Sequence, residues 1–190
     1  MKQCLFNFGK DNKKFKYSVI DKSANKRGYE LALDWLKSSG LLFECRNLKK
    51  IETPLTPFED TQNFKMYLSD IGILCTLSNV KFSDILLDNE FSYKGAIVQN
   101  FVAISFKVNK LNLNYWKNDN TAEIDYIIDT DESIIPIEVK SGSNLKSKSL
   151  DIYIKKYNPK YAIKLSQKNF KFNEIVYNIP IYASFVIKGE

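Results

Sequence analysis

Glu123-Ile124-Asp125-Tyr126-Ile127-Ile128 and Ile134-Ile135-Pro136-Ile137-Glu138-Val139-Lys140 are the two stretches whose reading decides the fold. Both are short, rich in isoleucine and separated by the polar step Thr130 to Ser133, which predicts strands over Glu123–Ile128 and Ile134–Val139 joined by a turn. Side chains alternate along a strand, so Glu138 and Lys140 share one face while Ile135, Ile137 and Val139 take the other. Asp125 lies on the face of Glu123, opposite Ile124 and Tyr126. Pairing through the turn brings Asp125 and Glu138 close. Two neighbouring carboxylates repel unless one is protonated or a cation lies between them, and hard oxygen ligands suit Mg²⁺ or Mn²⁺. Lys140, nearly alongside, can hold a water or a phosphate oxygen, which completes the parts for metal-assisted phosphodiester hydrolysis. On spacing alone the simpler reading is a charged edge of a solvated strand, because D…ExK is short and common.

Working outward, Tyr93 to Val108 carries Ile97, Val98, Phe101, Val102 and Ile104 in the pattern of a buried helix. Leu111–Trp116 reads as a third strand, Ser149–Tyr157 as a helix with Ser149 as its N-cap and Pro159 as its stop, and Tyr161–Leu165 and Ile181–Ile187 as further strands. Helix, three strands, helix, strand is the layout of a restriction-endonuclease-like α/β core, a mixed sheet flanked by helices. Upstream, Tyr29, Leu31, Ala32, Trp35 and Leu36 recur at helical spacing and Gly40 offers a stop. Strands at Leu42–Ile51 and Phe64–Leu68 follow, with a proline-bearing connection over Pro54–Pro57, and then short helices at Asp70–Leu77 and Phe82–Leu87. Helix plus hairpin outlines a small winged-helix-like segment, so the domains are placed at 1–78 and 79–190, with an adaptor role preferred for the first.

The 190 residues contain no histidine, which excludes His-based triads, the usual zinc centres and imidazole bases. Cys4, Cys45 and Cys75 are widely spaced and read as reduced thiols. No apolar run is long enough for a membrane span and the first residues lack a secretory signal, so a cytoplasmic protein is expected. The net charge of +6 is compatible with nucleic acid. From Ser141 to Lys171 eight lysines face the single acid Asp151. With Tyr153, Tyr157 and Tyr161 interleaved, this run of Lys146, Lys148, Lys155, Lys156, Lys160, Lys164, Lys168 and Lys171 can line a phosphate-tracking groove beside the metal site, with Lys146, Lys148, Lys155 and Lys156 the expected nucleic-acid contacts; a solvated basic face over packed tyrosines is the equal alternative. Tyr115 and Trp116 alternate on one strand, so at least one belongs to the core.

The motifs Gly95-Ala96-Ile97-Val98-Gln99-Asn100-Phe101-Val102, Tyr115-Trp116, Glu123-Ile124-Asp125, Ile137-Glu138-Val139-Lys140-Ser141-Gly142 and Ser149-Leu150 occur in this order. In them the chain resembles the uncharacterised C-terminal domain of bacterial and archaeal AAA-type ATPases, a PD-(D/E)XK nuclease-like domain, over roughly residues 60–185. Lys14 to Ser18 and Leu33 to Leu36 are similar to the winged-helix segment that precedes it. The resemblance implies a Mg²⁺-dependent (or Mn²⁺-dependent) nuclease with Asp125, Glu138 and Lys140 as its catalytic set. Two departures stand out. No G-x-x-x-x-G-K-[ST] is present, so no ATPase activity is expected and the chain reads as a fragment or remnant of a longer ATPase. Gln99 stands where the family carries a glutamate, and a neutral amide in the ligand set Asp125, Glu138, Gln99 would hold the ion more weakly. DNA or RNA, an ATPase partner or a second copy of the chain are the expected partners. The alternative function is a non-catalytic nucleic-acid or protein-binding or oligomerisation module.

Overall fold

A computed structural model describes residues 26–86, 93–118, 121–142 and 146–188. The stretches Phe15–Ile20 and Lys14–Ser18, with Cys4 and Leu87, lie outside them. By contacts the chain divides into two units, one ending at Glu44 and resuming over Asn63–Ile104, the other formed by Cys45–Gln62 with the chain from Ser105 onward. The boundary expected from the sequence is at 78/79 instead.

In the first unit, helix α1 (Lys26–Ser38) stops where glycine permits it. Leu41 N–H donates to Leu36 O at 3.0 Å and Gly40 N–H to Lys37 O at 2.9 Å, with Gly40 at φ +73°. This is a Schellman cap, and the left-handed φ is strained for any side chain. The packed face of α1 is not the expected one. Leu33 is buried, whereas Leu31 and Trp35 are 69% and 71% exposed. Apolar residues occupy so much of this helix's circumference that periodicity alone did not select a face. Leu33 joins Leu42, Phe64, Met66, Leu68 and Leu74, with Leu36, Ile71, Leu77 and Ile97 packed around them. Leu42 opens strand β1 (Leu42–Leu48) and Leu68 closes β2 (Glu59–Leu68). Helix α2 (Ile71–Leu77) is capped by Asp70, whose Oδ1 accepts from Ile73 N–H at 2.7 Å, and α3 (Phe82–Leu86) is a single turn. Helix α4 (Lys94–Val108) begins in this unit. Its Asn100 accepts from Leu68 N–H and donates to Leu68 O, both at 2.8 Å, so a buried side chain serves as a strand partner for β2.

The second unit is built on strands β3 (Asn114–Asn118), β4 (Ala122–Asp129) and β5 (Ile134–Val139). Helix α5 (Lys148–Tyr157), strands β6 (Ala162–Ser166), β7 (Lys171–Asn173) and β8 (Val176–Pro180) and a 3₁₀ turn over Ile181–Val186 follow. The sheet is eight-stranded and mixed, in the order β2-β1-β3-β4-β5-β6-β8-β7. β3–β4, β4–β5 and β7–β8 are antiparallel; β1–β3, β5–β6 and β6–β8 are parallel. Because Arg46 and Asn47 pair with Asn114 and Tyr115, β1 is a strand of the large sheet. That corrects the expectation of a separate winged-helix-like hairpin. Glu59 ties three strands together, accepting from Arg46 and from Asn114 at 2.9 Å each.

Two further expectations are corrected. Ile181–Val186 forms a 3₁₀ turn rather than a strand, with Pro180 ending β8 and Ala183 and Ser184 turned inward. Ser149 is not a cap: it lies inside α5, where its Oγ accepts from Glu123 N–H at 3.4 Å. The helix ends at Asn158, left-handed at φ 46°, one residue before the proline expected to stop it.

One irregularity sets the phase of the central strands. Between the pairs Asn114↔Ile127 and Trp116↔Ile124, β3 advances two residues and β4 three, so β4 carries one extra residue at Asp125–Tyr126. This is a β-bulge. It lets Ile124 and Ile127, which differ in parity, both enter the core with Leu48, Leu55, Trp116, Leu150, Tyr153 and Ala162. Tyr126 turns the other way and meets Phe106 of α4 edge-on at 5.3 Å. Each fully buried side chain of this size contributes about 1.5–3 kcal/mol of burial.

Candidate metal centre and nucleic-acid interface

The β4–β5 ladder ends on the rung Tyr126↔Ile137, and one more step sets Asp125 opposite Glu138. At that point the ladder gives way to a side chain. Asp125 Oδ2 accepts from Val139 N–H at 2.9 Å, so the bulged residue's carboxylate takes over the role of a strand carbonyl. Both carboxylates are buried. Lys140 Nζ lies 2.7 Å from Glu138 Oε1, and Lys140 N–H donates to Leu165 O at 2.8 Å, which fixes the start of that side chain to β6. Asp125, on the Val139 N–H, and Glu138, paired with Lys140, therefore lie at the same end of the β4–β5 pair.

Gln99, the other expected ligand, is buried on α4 in the part of the helix that belongs to the first unit. Among the described residues no group of three or more Cys, Asp or Glu side chains is gathered to hold a metal. The acidic donors of the second unit's site are thus a pair. A pair suits Mg²⁺, which keeps several waters and is commonly held by one or two carboxylates together with substrate phosphates.

The lysines separate into different surroundings. Lys146, Lys148 and Lys155 are exposed along α5 and just before it. Lys156 holds its ammonium 5.4 Å from the Trp116 ring centre and 5.0 Å from that of Tyr157. Trp116 packs edge-on against Tyr153 and Tyr157 at 5.3 and 5.6 Å. Tyr153 is core, and burial pushes its phenol well above the ordinary range. Tyr115 is buried as well as Trp116, so neither presents a ring to a base. Lys160 pairs with Glu132 at 2.6 Å.

Sequence reasoning placed a strand at Tyr161–Leu165 and counted Lys164, Lys168 and Lys171 in the basic run, but missed the β7–β8 hairpin that gathers them at the sheet edge. In β6, Lys164 is the register partner of Glu138; in turn Asn178 of β8 partners Lys164, and Lys171 of β7 partners Asn178. Register partners share a face, so a polar row runs from the carboxylates to the sheet edge. It opens into a cleft of about 690 Å³ lined by Lys164, Lys168, Lys171, Phe170, Asn178 and the α5 residue Asp151, among others. Asn178 fixes the cleft's loop: its Nδ2 donates to Lys168 O at 3.1 Å and Asn169 O at 2.9 Å, while Ser166 Oγ donates to its Oδ1 at 2.7 Å. The signal was available as the alternation Phe170-Lys171-Phe172-Asn173 before a turn at Glu174, which has φ 53°.

Cys45 is buried, and burial followed by the nearby Asp70 charge pushes the Cys75 thiol up. Among the described residues no helix is long and apolar enough to cross a membrane. Residues 94–183 match the family model described as domain of unknown function DUF4143, and residues 3–84 match that of domain of unknown function DUF8612. No curated protein and no solved structure matches the chain.

Proposed function

We propose that the second unit is a restriction-endonuclease-like, PD-(D/E)XK domain of the kind attached to AAA-type ATPases, and that Asp125 and Glu138 bind Mg²⁺ or Mn²⁺ for phosphodiester hydrolysis in a nucleic acid. The observation that carries the reading is the buried carboxylate pair with Lys140 on it, set into the sheet by the β4 bulge and the Val139 N–H. Burying two carboxylates is costly unless compensating charge is near; Lys140 supplies one such charge, and a bound divalent cation would supply the rest. A bound divalent ion supplies a polarised phosphoryl group and a water of lowered pKa. Val139 N–H orients Asp125, Glu138 faces it across the ladder, and Lys140 is held where its ammonium can pass to a phosphate oxygen.

Calorimetric titration of the full chain with Mn²⁺ tests this. One ion per chain is expected, lost in Asp125→Ala and in Glu138→Ala, together with metal-dependent cleavage of labelled DNA or RNA that the same variants abolish. A titration without heat sinks the metal site. Unchanged Mn²⁺ binding in Asp125→Ala also sinks it.

A non-catalytic module that docks nucleic acid or a protein partner is the second reading. It is favoured by the ammonium of Lys140, which already offsets one of the two carboxylate charges. Salt-dependent DNA binding with no Mn²⁺ uptake would select it.

A further inference from the structure

We infer that the cleft at the β6–β8–β7 edge is the track by which a single-stranded nucleic acid reaches the Asp125–Glu138 pair. This rests on the reading of that pair as a phosphodiester site and names the kind of chain it takes.

Three observations carry it. First, the register row Glu138, Lys164, Asn178, Lys171 steps across four adjacent strands on one face. At about 4.8 Å per strand the row spans about 14 Å, the scale of a short run of backbone rather than of one phosphate. Second, the charge is one-sided: the ammoniums of Lys164, Lys168 and Lys171 are opposed in the cleft by the single carboxylate of Asp151. Its walls are held in advance, since Asn178 bonds two successive carbonyls of the loop bearing Lys168 and Phe170. Third, Phe170 lines this basic cleft with 62% of its surface exposed. A bare ring among ammoniums is a stacking platform for an unpaired base, whose face a duplex would hide. Ammoniums on phosphates and a ring on a base together specify a single strand.

The experiment uses the full chain and a fluorescein-labelled twelve-residue oligothymidine, with a duplex of equal length beside it. Both are titrated in EDTA, where metal loading and cleavage play no part. The single strand is expected to bind better than the duplex. The logarithm of its affinity should fall with the logarithm of salt at a slope of about −2, the value for three phosphate contacts on a single strand. Lys168→Gln with Lys171→Gln should weaken binding about tenfold or more and flatten the slope by about 1.4. Phe170→Ala should weaken the single strand about fivefold or more while leaving the slope unchanged. Urea midpoints of each variant separate lost binding from lost folding; these side chains are exposed, so the midpoints should hold. Unchanged binding in the double lysine variant overturns the cleft, and a duplex bound as tightly as the single strand, or an inert Phe170→Ala, overturns the single-strand assignment. Because metal is absent throughout, failure of the metal site and failure of the track are read independently.

Discussion

Two carboxylate–lysine pairs flank strand β5, one before it and one at its far end, and they differ in everything except distance. Glu132 and Lys160 meet at 2.6 Å with their side chains 73% and 61% exposed; Glu138 and Lys140 meet at 2.7 Å with 7% and 26%. The first pair lies in water, where solvent and salt screen the attraction and immobilising two long side chains consumes most of the gain. In the second the carboxylate is removed from water beside another carboxylate, so each interaction there is larger and each loss more costly. Contact distance alone does not distinguish the two pairs; burial beside a like charge does.

The largest expected effect breaks the buried end of this comparison. Asp125→Ala leaves the buried Val139 N–H without the acceptor now 2.9 Å away and should cost about 2 kcal/mol in urea unfolding. Asp125→Asn keeps an amide oxygen for that N–H and should recover most of the stability while Mn²⁺ binding stays lost. If both variants unfold alike, the hydrogen bond is not what Asp125 contributes. Next, Lys140→Met removes the ammonium beside Glu138. The partial exposure of Lys140 discounts the usual cost of breaking a buried pair to about 1–2 kcal/mol, measured by denaturation at neutral pH. A variant as stable as the parent would place this pair with the exposed one.

The smallest effect sharpens the other end. The hydrogen bond and then the charge of Lys160 hold the Glu132 carboxyl below its ordinary value of 4.5. Whatever stability the pair confers is therefore complete above that value and lost as pH falls through the lowered one. At its exposure, Glu132→Gln should leave the unfolding midpoint unmoved at pH 7 and at pH 3 alike, and a difference between the two pH values would show that the pair is less screened than its exposure implies.

How much of the fold and site was legible in the sequence depended on which physics was local. The strands carrying Asp125 and Glu138 could be read because alternation and a polar turn are short-range, and the end of α1 because Gly40 marks it. The order helix, three strands, helix, strand is likewise present as α4, β3–β5, α5 and β6. The packed face of α1 was not legible, since Leu33 is selected by what surrounds it rather than by spacing. Nor was the sheet membership of β1, which depends on Arg46 and Asn47 finding Asn114 and Tyr115 far along the chain. The lysine run was visible as composition. Its division into Lys156 over Trp116, Lys160 on Glu132 and Lys164, Lys168 and Lys171 around a cleft depends on register, and the β7–β8 hairpin that supplies that register is too short to stand out.

The extra residue in β4 makes the site a matter of phase. Ile124 and Ile127 are pinned to the same core, so the segment between them must accommodate an even step on one side and an odd step on the other, and Asp125–Tyr126 absorbs the mismatch. Substitutions there leave the parity intact, but deleting a single residue would change it: either an isoleucine leaves the core or the carboxylate leaves the row shared with Glu138. The strand should therefore tolerate replacement far better than any change in length, so a one-residue gap at this point in a related chain would separate Asp125 from Glu138 even where both carboxylates survive.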